Sequence, residues 1–292
     1  MATTFNFIPY NKASASVKVL RQAINGVTLS SQSPRLERLF NGDRATNNHV
    51  FIKWGKTAHD TQLNSLDNRD GVLLLNNKDL SNYTNKRKFF EMLSGTGVVP
   101  YLPQVFNTRN DALLFWNSRA REAAENEIIL VERQSLTDSG GNGIKFLTRR
   151  VGPTDRGMLW TSYIKKKHEY RVHASKTGII AIQKKFLPLG VASSDEHTRQ
   201  TQFSLRNYNN GWRYQLSSLE DTPQCVLEAV NRFINSGKNI ADFCALDIIY
   251  NEASRTAFIL EANTAPGVSS PLTDKYVEYF REKANEYFGG NG

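Results

Sequence analysis

The sequence predicts an α+β protein that begins with a small α/β unit. Apolar residues recur at helical spacing in a few separated segments, of which ASVKVLRQAI (15–24) is the first. Short apolar runs bounded by turn residues fill much of the remaining chain, and such runs are typical of β-strands. Because the 292 residues exceed the usual size of a single hydrophobic core, we expect more than one domain.

The first predicted domain is α/β and covers residues 1–84. Its first helix stops at Gly26, a residue that commonly follows the end of a helix. The runs VFIKWG (50–55) and GVLLLN (71–76) predict two short buried strands. Helix and strands together predict a small layered unit.

The second predicted domain covers residues 85–165 and contains a glycine-rich hairpin. It begins with KRKFFEML (86–93), whose apolar residues share one helical face. The strand EIILVER (127–133), the loop TDSGGNG (137–143) and the strand IKFLTRRV (144–151) then follow. A flexible glycine loop between two strands can close over a ligand.

The third predicted domain covers residues 166–292 and is rich in strands. Its elements are the strands EYRVHAS (169–175) and IIAIQKKFL (179–187), a helix opened by Thr222-Pro223, the strands ALDIIY (245–250) and TAFILE (256–261), and a final helix over about 273–288. The residues 251–255 between the last two strands predict a hairpin turn.

Composition excludes several classes of protein. No apolar run approaches the roughly 20 residues of a membrane helix, and the N-terminus lacks a signal-peptide pattern, so we expect a cytoplasmic protein. Cys225 and Cys244 offer neither metal spacing nor a disulfide framework. The net charge of +9 suits an anionic partner, and its basic clusters lie at 85–88, 149–150, 164–167 and 184–185.

Oxygen-bearing side chains gather at the predicted C-terminal hairpin. Residues two apart on a strand share a face, so Glu261 and Asn263 project together and Ala262 faces the other way. Pairing about the turn sets Asp247 opposite positions 259–261. Two carboxylates and a carboxamide suit Mg²⁺ or Mn²⁺, and a cation would offset the cost of burying them. The alternative is that Glu261 only ends a strand and that Asp247 pairs with an arginine.

The hairpin residues resemble those of the ATP-grasp carboxylate–amine ligases. In that family a strand with an Asp, a turn and a strand ending in ExNxxPG supply the Mg²⁺ ligands, and ALDII and LEANTAPG match this pattern at Asp247, Glu261 and Asn263. The resemblance extends from about Lys86 to about Leu272. It implies two α+β subdomains that clasp ATP, 85–165 as the lid and 166–292 as the larger one, after a pre-grasp domain.

Within the family, the chain resembles in particular the group that adds amino acids to peptide or protein carboxyl ends, the ribosomal-protein glutamate ligase type. The pair Trp54-Gly55 is similar to a pair found in a phage and bacterial subgroup. Trp54 is equally well explained as a packing residue.

The resemblance also implies roles for basic residues. EYR matches a family motif and gives Arg171 the task of meeting the γ-phosphate and the acyl-phosphate. Lys184 follows as a second basic residue near the transferred phosphoryl group. Lys86 looks like the first nucleotide-binding lysine, with Lys88 as the alternative. Arg133 stands where the family has its second phosphate-binding lysine, a departure that replaces an ammonium with a planar guanidinium.

Two further groups of residues are implied to contact the nucleotide. They are Gly140, Gly141 and Gly143, in the mobile loop over the phosphates, and Tyr163 and Ile164, in the wall of the adenine pocket.

The implied activity is an ATP-dependent ligation with ATP and Mg²⁺, or Mn²⁺, as cofactors. A small-molecule or peptide carboxylate would form an acyl-phosphate and then react with an amine. Two alternatives remain open: an ATP-grasp kinase acting on a small molecule, and a basic nucleic-acid-binding protein without catalysis. The second is the less favoured, because only NYNNGWRYQL (207–216) interleaves aromatic with basic residues. A homo-oligomer is not excluded.

Overall fold

The computed structural model describes residues 2–30, 33–40, 47–58, 60–67, 69–138 and 141–289. Three β-sheets follow one another along these residues. Within the described residues, no helix combines the length and the apolar character needed to cross a bilayer.

The first sheet is parallel and lies in the N-terminal segment. Its strands are β1 (Thr3–Pro9), β2 (Val27–Thr28), β3 (Asn48–Trp54) and β4 (Val72–Leu75), in the order β2-β1-β3-β4. The helices of this segment are α1 (Ala15–Ile24), α2 (Pro34–Phe40), α3 (Thr61–Asn64) and α4 (Ser81–Thr84). Helix α1 begins at Ser14, whose hydroxyl accepts a hydrogen bond from the Val17 amide, and ends at Asn25 in the left-handed conformation.

The second sheet is antiparallel. Its strands are β5 (Val105–Phe106), β6 (Ile128–Arg133), β7 (Ile144–Thr148) and β8 (Leu159–Ser162), in the order β5-β8-β6-β7. The helices of this segment are α5 (Lys86–Leu93), a short 3-10 helix (Val99–Tyr101) and α6 (Arg109–Ala120). Helix α6 packs on the second sheet, whereas α5 packs on the third.

The third sheet is also antiparallel and is the largest. Its strands are β9 (His168–Ser175), β10 (Ile179–Phe186), β11 (Arg213–Ser217), β12 (Phe243–Asn251) and β13 (Thr256–Asn263), in the order β11-β10-β9-β12-β13. The helices here are α7 (Glu196–Ser204), α8 (Gln224–Ile234) and α9 (Leu272–Gly289). Helices α5 and α8 cover one face through Phe89, Phe90 and Phe233.

Helix α9 joins the third sheet to the first. Tyr276 and Phe280 pack in one core with Phe7 of β1 and Phe243 of β12. Trp54 is 1% exposed and its ring lies 5.2 Å from that of Phe243, so it is a packing residue of this core. The predicted α+β class is confirmed, and the N-terminal segment of helices and strands contains a parallel sheet. The domain boundaries stay a prediction, and α5, assigned to the second domain, packs on the sheet of the third.

Candidate active site

A β-bulge brings the two predicted carboxylates together. From the turn, β12 and β13 pair regularly as far as Ile248 opposite Ile259. Continued regular pairing would set Asp247 opposite Leu260 and turn Glu261 to the other face. The register shifts at this point, and Asp247 pairs with Glu261 instead. The extra residue in β13 therefore puts both carboxylates on one face.

Asn263 continues the same row. It lies two residues beyond Glu261 and opposite Ala245 of β12. Ala262, between them, is 4% exposed and belongs to the core on the opposite face. The predicted placement of Glu261 and Asn263 on one face is confirmed, although their role is a separate question.

Arg171 holds Asp247 in a bidentate ion pair. The two residues are register partners on β9 and β12. Arg171 Nε lies 2.6 Å from Asp247 Oδ1, and Nη2 lies 2.7 Å from Oδ2. Burial would raise the pKa of Asp247, but the guanidinium holds it below its ordinary value. The alternative that Asp247 pairs with an arginine is thus what the structure shows.

Lys86 contacts Glu261 from the start of helix α5. The Asn85 side chain caps this helix by accepting a hydrogen bond from the Lys88 amide, which places Lys86 in the first turn. Lys86 Nζ lies 3.3 Å from Glu261 Oε2 and donates to the Asp138 carbonyl at 2.7 Å. Lys88 is exposed. The structure therefore brings Lys86, and not Lys88, to the carboxylates.

These ion pairs remove one argument for a metal. We expected the two carboxylates to need a divalent cation, yet Arg171 and Lys86 already offset their charge. Among the described residues no group of three or more His, Cys, Asp and Glu side chains is placed to hold an ion by itself. The donor set still fits Mg²⁺, because two carboxylates and a carboxamide leave room for the water and phosphate oxygens that this ion retains.

Arg133 supplies a buried cation from the second sheet. Leu130, of the core under α6, and Arg133 lie on opposite faces of β6, since their positions differ by three. Arg133 is 9% exposed, and within the described part of the chain its Nε has no hydrogen-bond partner. Burial lowers the pKa of Arg133, and Glu261 opposes that effect. A buried guanidinium nitrogen without a partner indicates a place for an anion.

Lys184 does not join this group. It pairs with the core residue Tyr170, and so it lies on the face opposite Arg171. Lys185 is the lysine on the site face, where its ammonium contacts Glu169 and lies 5.3 Å from the Tyr214 ring. Lys185, and not the predicted Lys184, therefore lies on the face of the carboxylates.

A second buried cluster surrounds Glu169. Lys166 Nζ lies 3.2 Å from Glu169 Oε2, and Lys185 Nζ donates to the Arg206 carbonyl at 2.8 Å. Burial would raise the pKa of Glu169, but Lys166 and Lys185 hold it below its ordinary value. Burial lowers the pKa of Lys166, with Glu169 opposing. Arg206 is 8% exposed and stacks over Trp212, 4.5 Å from that ring.

The glycine loop and the predicted adenine wall both lie against residues 204–206, at the end of α7. Gly141, at φ +89°, approaches Leu205 so closely that an added Cβ would lie 2.7 Å from Leu205 Cδ1. Gly143 also has a positive φ, at +68°, and Gly140 lies outside the described residues. Burial raises the pKa of Tyr163, opposed by Arg206 and a hydrogen bond to Ser204.

Ile164 follows Tyr163 directly and is half-buried. Residues 204–206 thus contact both the segment after β8 and the glycine loop.

The sequence reasoning missed Glu169, Lys166, Lys185 and Arg206. Glu169 could have been found, because it lies two residues before Arg171 on the same strand and therefore on the same face. Lys166 and Lys185 were visible only as members of basic clusters. Arg206 carries no local signal, since it reaches the site from an irregular connection.

Comparisons with solved structures identify the fold. A D-alanine–D-alanine ligase from Bacillus anthracis superimposes with a TM-score of 0.60 at 11% identity over 100% of both chains. D-alanyl-alanine synthetase A from Vibrio cholerae gives 0.59 at 12% identity over 98% of both chains. The ATP-grasp ligase PsnB, complexed with a minimal precursor, gives 0.55 at 11% identity over 95% of this chain and 99% of its own.

No family model matches this sequence, and no curated protein sequence matches it. At these identities the structural likeness establishes the fold: the chain has the ATP-grasp fold.

Proposed function

We propose that the protein is an ATP-dependent ligase that joins a carboxylate to an amine. The observation that carries this proposal is a cluster of charged side chains to which the second and third sheets both contribute. Lys86 contacts Glu261, Arg133 of the second sheet interacts with it electrostatically, and Asp247, paired with Arg171, is its register partner. The solved structures that share the fold include a D-alanine–D-alanine ligase complexed with ATP and the ATP-grasp ligase PsnB complexed with Mg and ADP.

The charge of this cluster suits a nucleoside triphosphate. Six cationic side chains outnumber three carboxylates, which leaves an excess of three positive charges. The cations are Lys86, Arg133, Lys166, Arg171, Lys185 and Arg206, and the carboxylates are Glu169, Asp247 and Glu261. Most of these groups are buried, so water screens them weakly and the excess charge attracts phosphate strongly.

In the proposed reaction, a substrate carboxylate oxygen attacks the γ-phosphorus of ATP. The bond to the bridging oxygen breaks, ADP leaves with that electron pair, and an acyl-phosphate forms. An amine nitrogen then attacks the acyl carbon, the carbon–oxygen bond breaks, and inorganic phosphate leaves while the nitrogen loses a proton to solvent. Arg171, Lys185 and Arg133 would offset the charge that gathers on the transferring phosphoryl group.

Asp247, Glu261 and Asn263 would hold Mg²⁺ through their side-chain oxygens. When bound, Mg²⁺ would neutralise phosphate charge as a Lewis acid. Lys86, which contacts Glu261 here, would then be free to bind a phosphate oxygen, because Glu261 would be a ligand of the ion. The glycine loop through Gly141 would exclude water from the acyl-phosphate.

The finer assignments rest on the sequence resemblance. We propose addition of an amino acid to a peptide or protein carboxyl end, in the manner of the ribosomal-protein glutamate ligase type, with residues 85–165 as the lid. The nucleic-acid alternative loses its local support, since Arg213 of the aromatic stretch stacks 3.8 Å from the Tyr208 ring and donates to the Tyr208 and Trp212 carbonyls.

A phosphate-release screen tests the proposal. The protein is incubated with Mg-ATP and pooled amino acids and peptides, and the mass of any product is measured. A ligase releases phosphate only when both the carboxylate and the amine are present. A kinase makes a phosphorylated product from a single substrate.

Glu261→Ala should lower turnover by about 100-fold or more, because it removes a candidate metal ligand. Glu252→Gln is the matched control, since that exposed carboxylate lies in the β12–β13 turn and forms an exposed ion pair with Lys167. Equal turnover by Glu261→Ala and the parent protein would remove the proposed roles of this hairpin.

A further inference from the structure

A buried chain of three polar side chains ends beside Arg171. The Tyr276 hydroxyl of α9 lies 2.9 Å from His173 Nδ1, and His173 Nε2 lies 3.0 Å from Gln183 Oε1. Tyr276 and His173 are fully buried, and Gln183 is 6% exposed. Gln183 is the register partner of Arg171 on the neighbouring strand.

The hydrogen bonds fix the orientation of the Gln183 carboxamide. A carbonyl oxygen only accepts, so His173 donates from Nε2. A neutral ring then accepts from the Tyr276 hydroxyl at Nδ1. Burial lowers the pKa of His173 to about 4, with Arg171 adding to the effect and Gln183 and Asp247 opposing it. At neutral pH the ring is therefore uncharged, with one donor and one acceptor nitrogen.

The remaining amide group of Gln183 has no partner. Among the described residues no hydrogen bond joins Gln183 Nε2 to a side chain or backbone group, and this nitrogen is not one of the buried atoms that lack a partner, so it is accessible to solvent or to a ligand. The two-residue alternation of β10 places this side chain on the face of Lys185, and its register partner on the other side is Leu216 of β11, which offers no acceptor. Arg171 is committed to Asp247. The N–H donors of Gln183 thus lie beside Arg171 and on the face of Lys185, where an oxyanion is the complementary ligand.

We propose that Gln183 is a substrate-binding residue that donates a hydrogen bond to an oxyanion held next to Arg171, and that His173 and Tyr276 are positioning residues that prevent its carboxamide from turning. The oxyanion is either the substrate carboxylate or the γ-phosphoryl group of the nucleotide. This proposal rests on the proposed ligase function. A packing role alone would not require a buried chain that satisfies one end of the amide and leaves the other open.

Two substitutions at the same position separate binding from packing. Gln183→Glu keeps an oxygen that accepts from His173 but lacks the amide donor, and Gln183→Met lacks both. Gln183→Glu also adds a negative charge beside Arg171, so the test of the donor alone is Gln183→Met: if Gln183 only packs, this variant of similar size should bind the oxyanion as the parent protein does. The proposal expects both variants to lose about 10- to 100-fold in binding of the oxyanion, the usual effect of losing a hydrogen bond to a charged group.

Two measurements identify the oxyanion. The ratio of the dissociation constants of Mg-ADP and a nonhydrolysable Mg-ATP analogue reports contact with the γ-phosphoryl group. The KM of the carboxylate substrate in the phosphate-release assay reports contact with that substrate. Tyr276→Phe should shift the same quantity as Gln183→Met, by a smaller factor and with kcat less affected than KM. Gln215→Glu is the matched control, because Gln215 is exposed on the opposite face of the sheet.

The outcomes separate the two proposals. If the parent protein binds neither nucleotide, the proposed function fails, and this inference fails with it. If the parent binds the nucleotides and Gln183→Met matches it in both measurements, the role of Gln183 is wrong and the ligase proposal stands. A uniform loss of binding and of thermal stability in Gln183→Met and Tyr276→Phe, with Gln183→Glu unaffected, would also overturn the inference, since only packing would explain it.

Discussion

Replacing Arg171 by methionine should destabilise the protein strongly at neutral pH. The substitution leaves Asp247 6% exposed and without the guanidinium that meets both of its oxygens at 2.6 and 2.7 Å. Breaking a buried ion pair by removing one partner costs about 3–5 kcal/mol, because an uncompensated charge stays buried. We therefore expect Arg171→Met to lower the free energy of unfolding by about 3–5 kcal/mol at pH 7.5.

The loss should diminish as the pH falls. In the parent protein the pKa of Asp247 is depressed, so its stabilising contribution is present above the ordinary carboxyl pKa and is lost as the pH falls through the lower folded value. In Arg171→Met the largest influence that remains is burial, which raises the pKa of Asp247, with the weaker effects of Lys185 and Glu261 opposing it. The folded state then binds a proton more readily than the unfolded state, and stability is partly regained on acidification.

Urea denaturation of both proteins at pH 7.5 and 5.5 measures this effect. Lys167→Met is the matched control, because it breaks an exposed pair with Glu252 and should cost less than about 1 kcal/mol. A loss below about 1 kcal/mol for Arg171→Met, or a loss that grows at pH 5.5, would refute the reasoning.

Two other predictions concern stability. Burial lowers the pKa of His173 in the folded protein to about 4, from an ordinary value of 6.5, so on acidification the unfolded state binds its proton first. The free energy of unfolding should therefore fall as the pH drops from 6.5 to 4, by up to about 1.4 kcal/mol per pH unit. Urea titrations should show this component of the slope in the parent and not in His173→Gln, and equal slopes would contradict the burial argument. Gly141→Ala should lower the free energy of unfolding by about 1–3 kcal/mol, because φ is +89° and the new Cβ would meet Leu205. Gly178→Ala, with open space around it, should be nearly neutral. Thermal melts of the two variants measure the difference. Similar melting temperatures for the two alanine variants would show that the glycine loop is not held as described.

Local signals were sufficient for most single elements. Helix α1 spans the predicted 15–24, and Asn85 caps α5 where the helix was expected to begin. Strand β7 ends at Thr148, earlier than predicted, because the segment after it turns at once. The edge strand β11 was missed, since 213–217 has little apolar content and forms only by pairing with β10.

The site depended on pairing that local patterns do not encode. Glu261 reaches the face of Asp247 only through the bulge in β13, and periodicity alone cannot locate an extra residue. The choice between Lys184 and Lys185 is likewise decided by the register of β10 against β9. Arg206 arrives from a distant connection, so only the folded chain shows it.

The sequence predicted that a divalent cation would offset the two carboxylates, and it missed the cationic side chains that do so in the structure. Two buried carboxylates need positive charge, but side chains from other elements can supply it as well as a metal can. The sequence shows no contact between Lys86 and Glu261, which are far apart along the chain. The oxygen donors of Asp247, Glu261 and Asn263, and not the charge balance, are therefore the reason to propose a metal here.

The central claim is that a magnesium nucleotide binds between the two antiparallel sheets, with Arg133 on its phosphates. The most direct measurement is the dissociation constant of a nonhydrolysable Mg-ATP analogue for the parent and for Arg133→Met, together with the stability of each protein without nucleotide. Lys145→Met is the matched control on the neighbouring strand, where the lysine is exposed. The account predicts binding weakened by about 10- to 100-fold and an unliganded variant at least as stable as the parent, because a buried charge without a hydrogen-bond partner at Nε has been removed. Unchanged nucleotide binding with a strongly destabilised variant would contradict it.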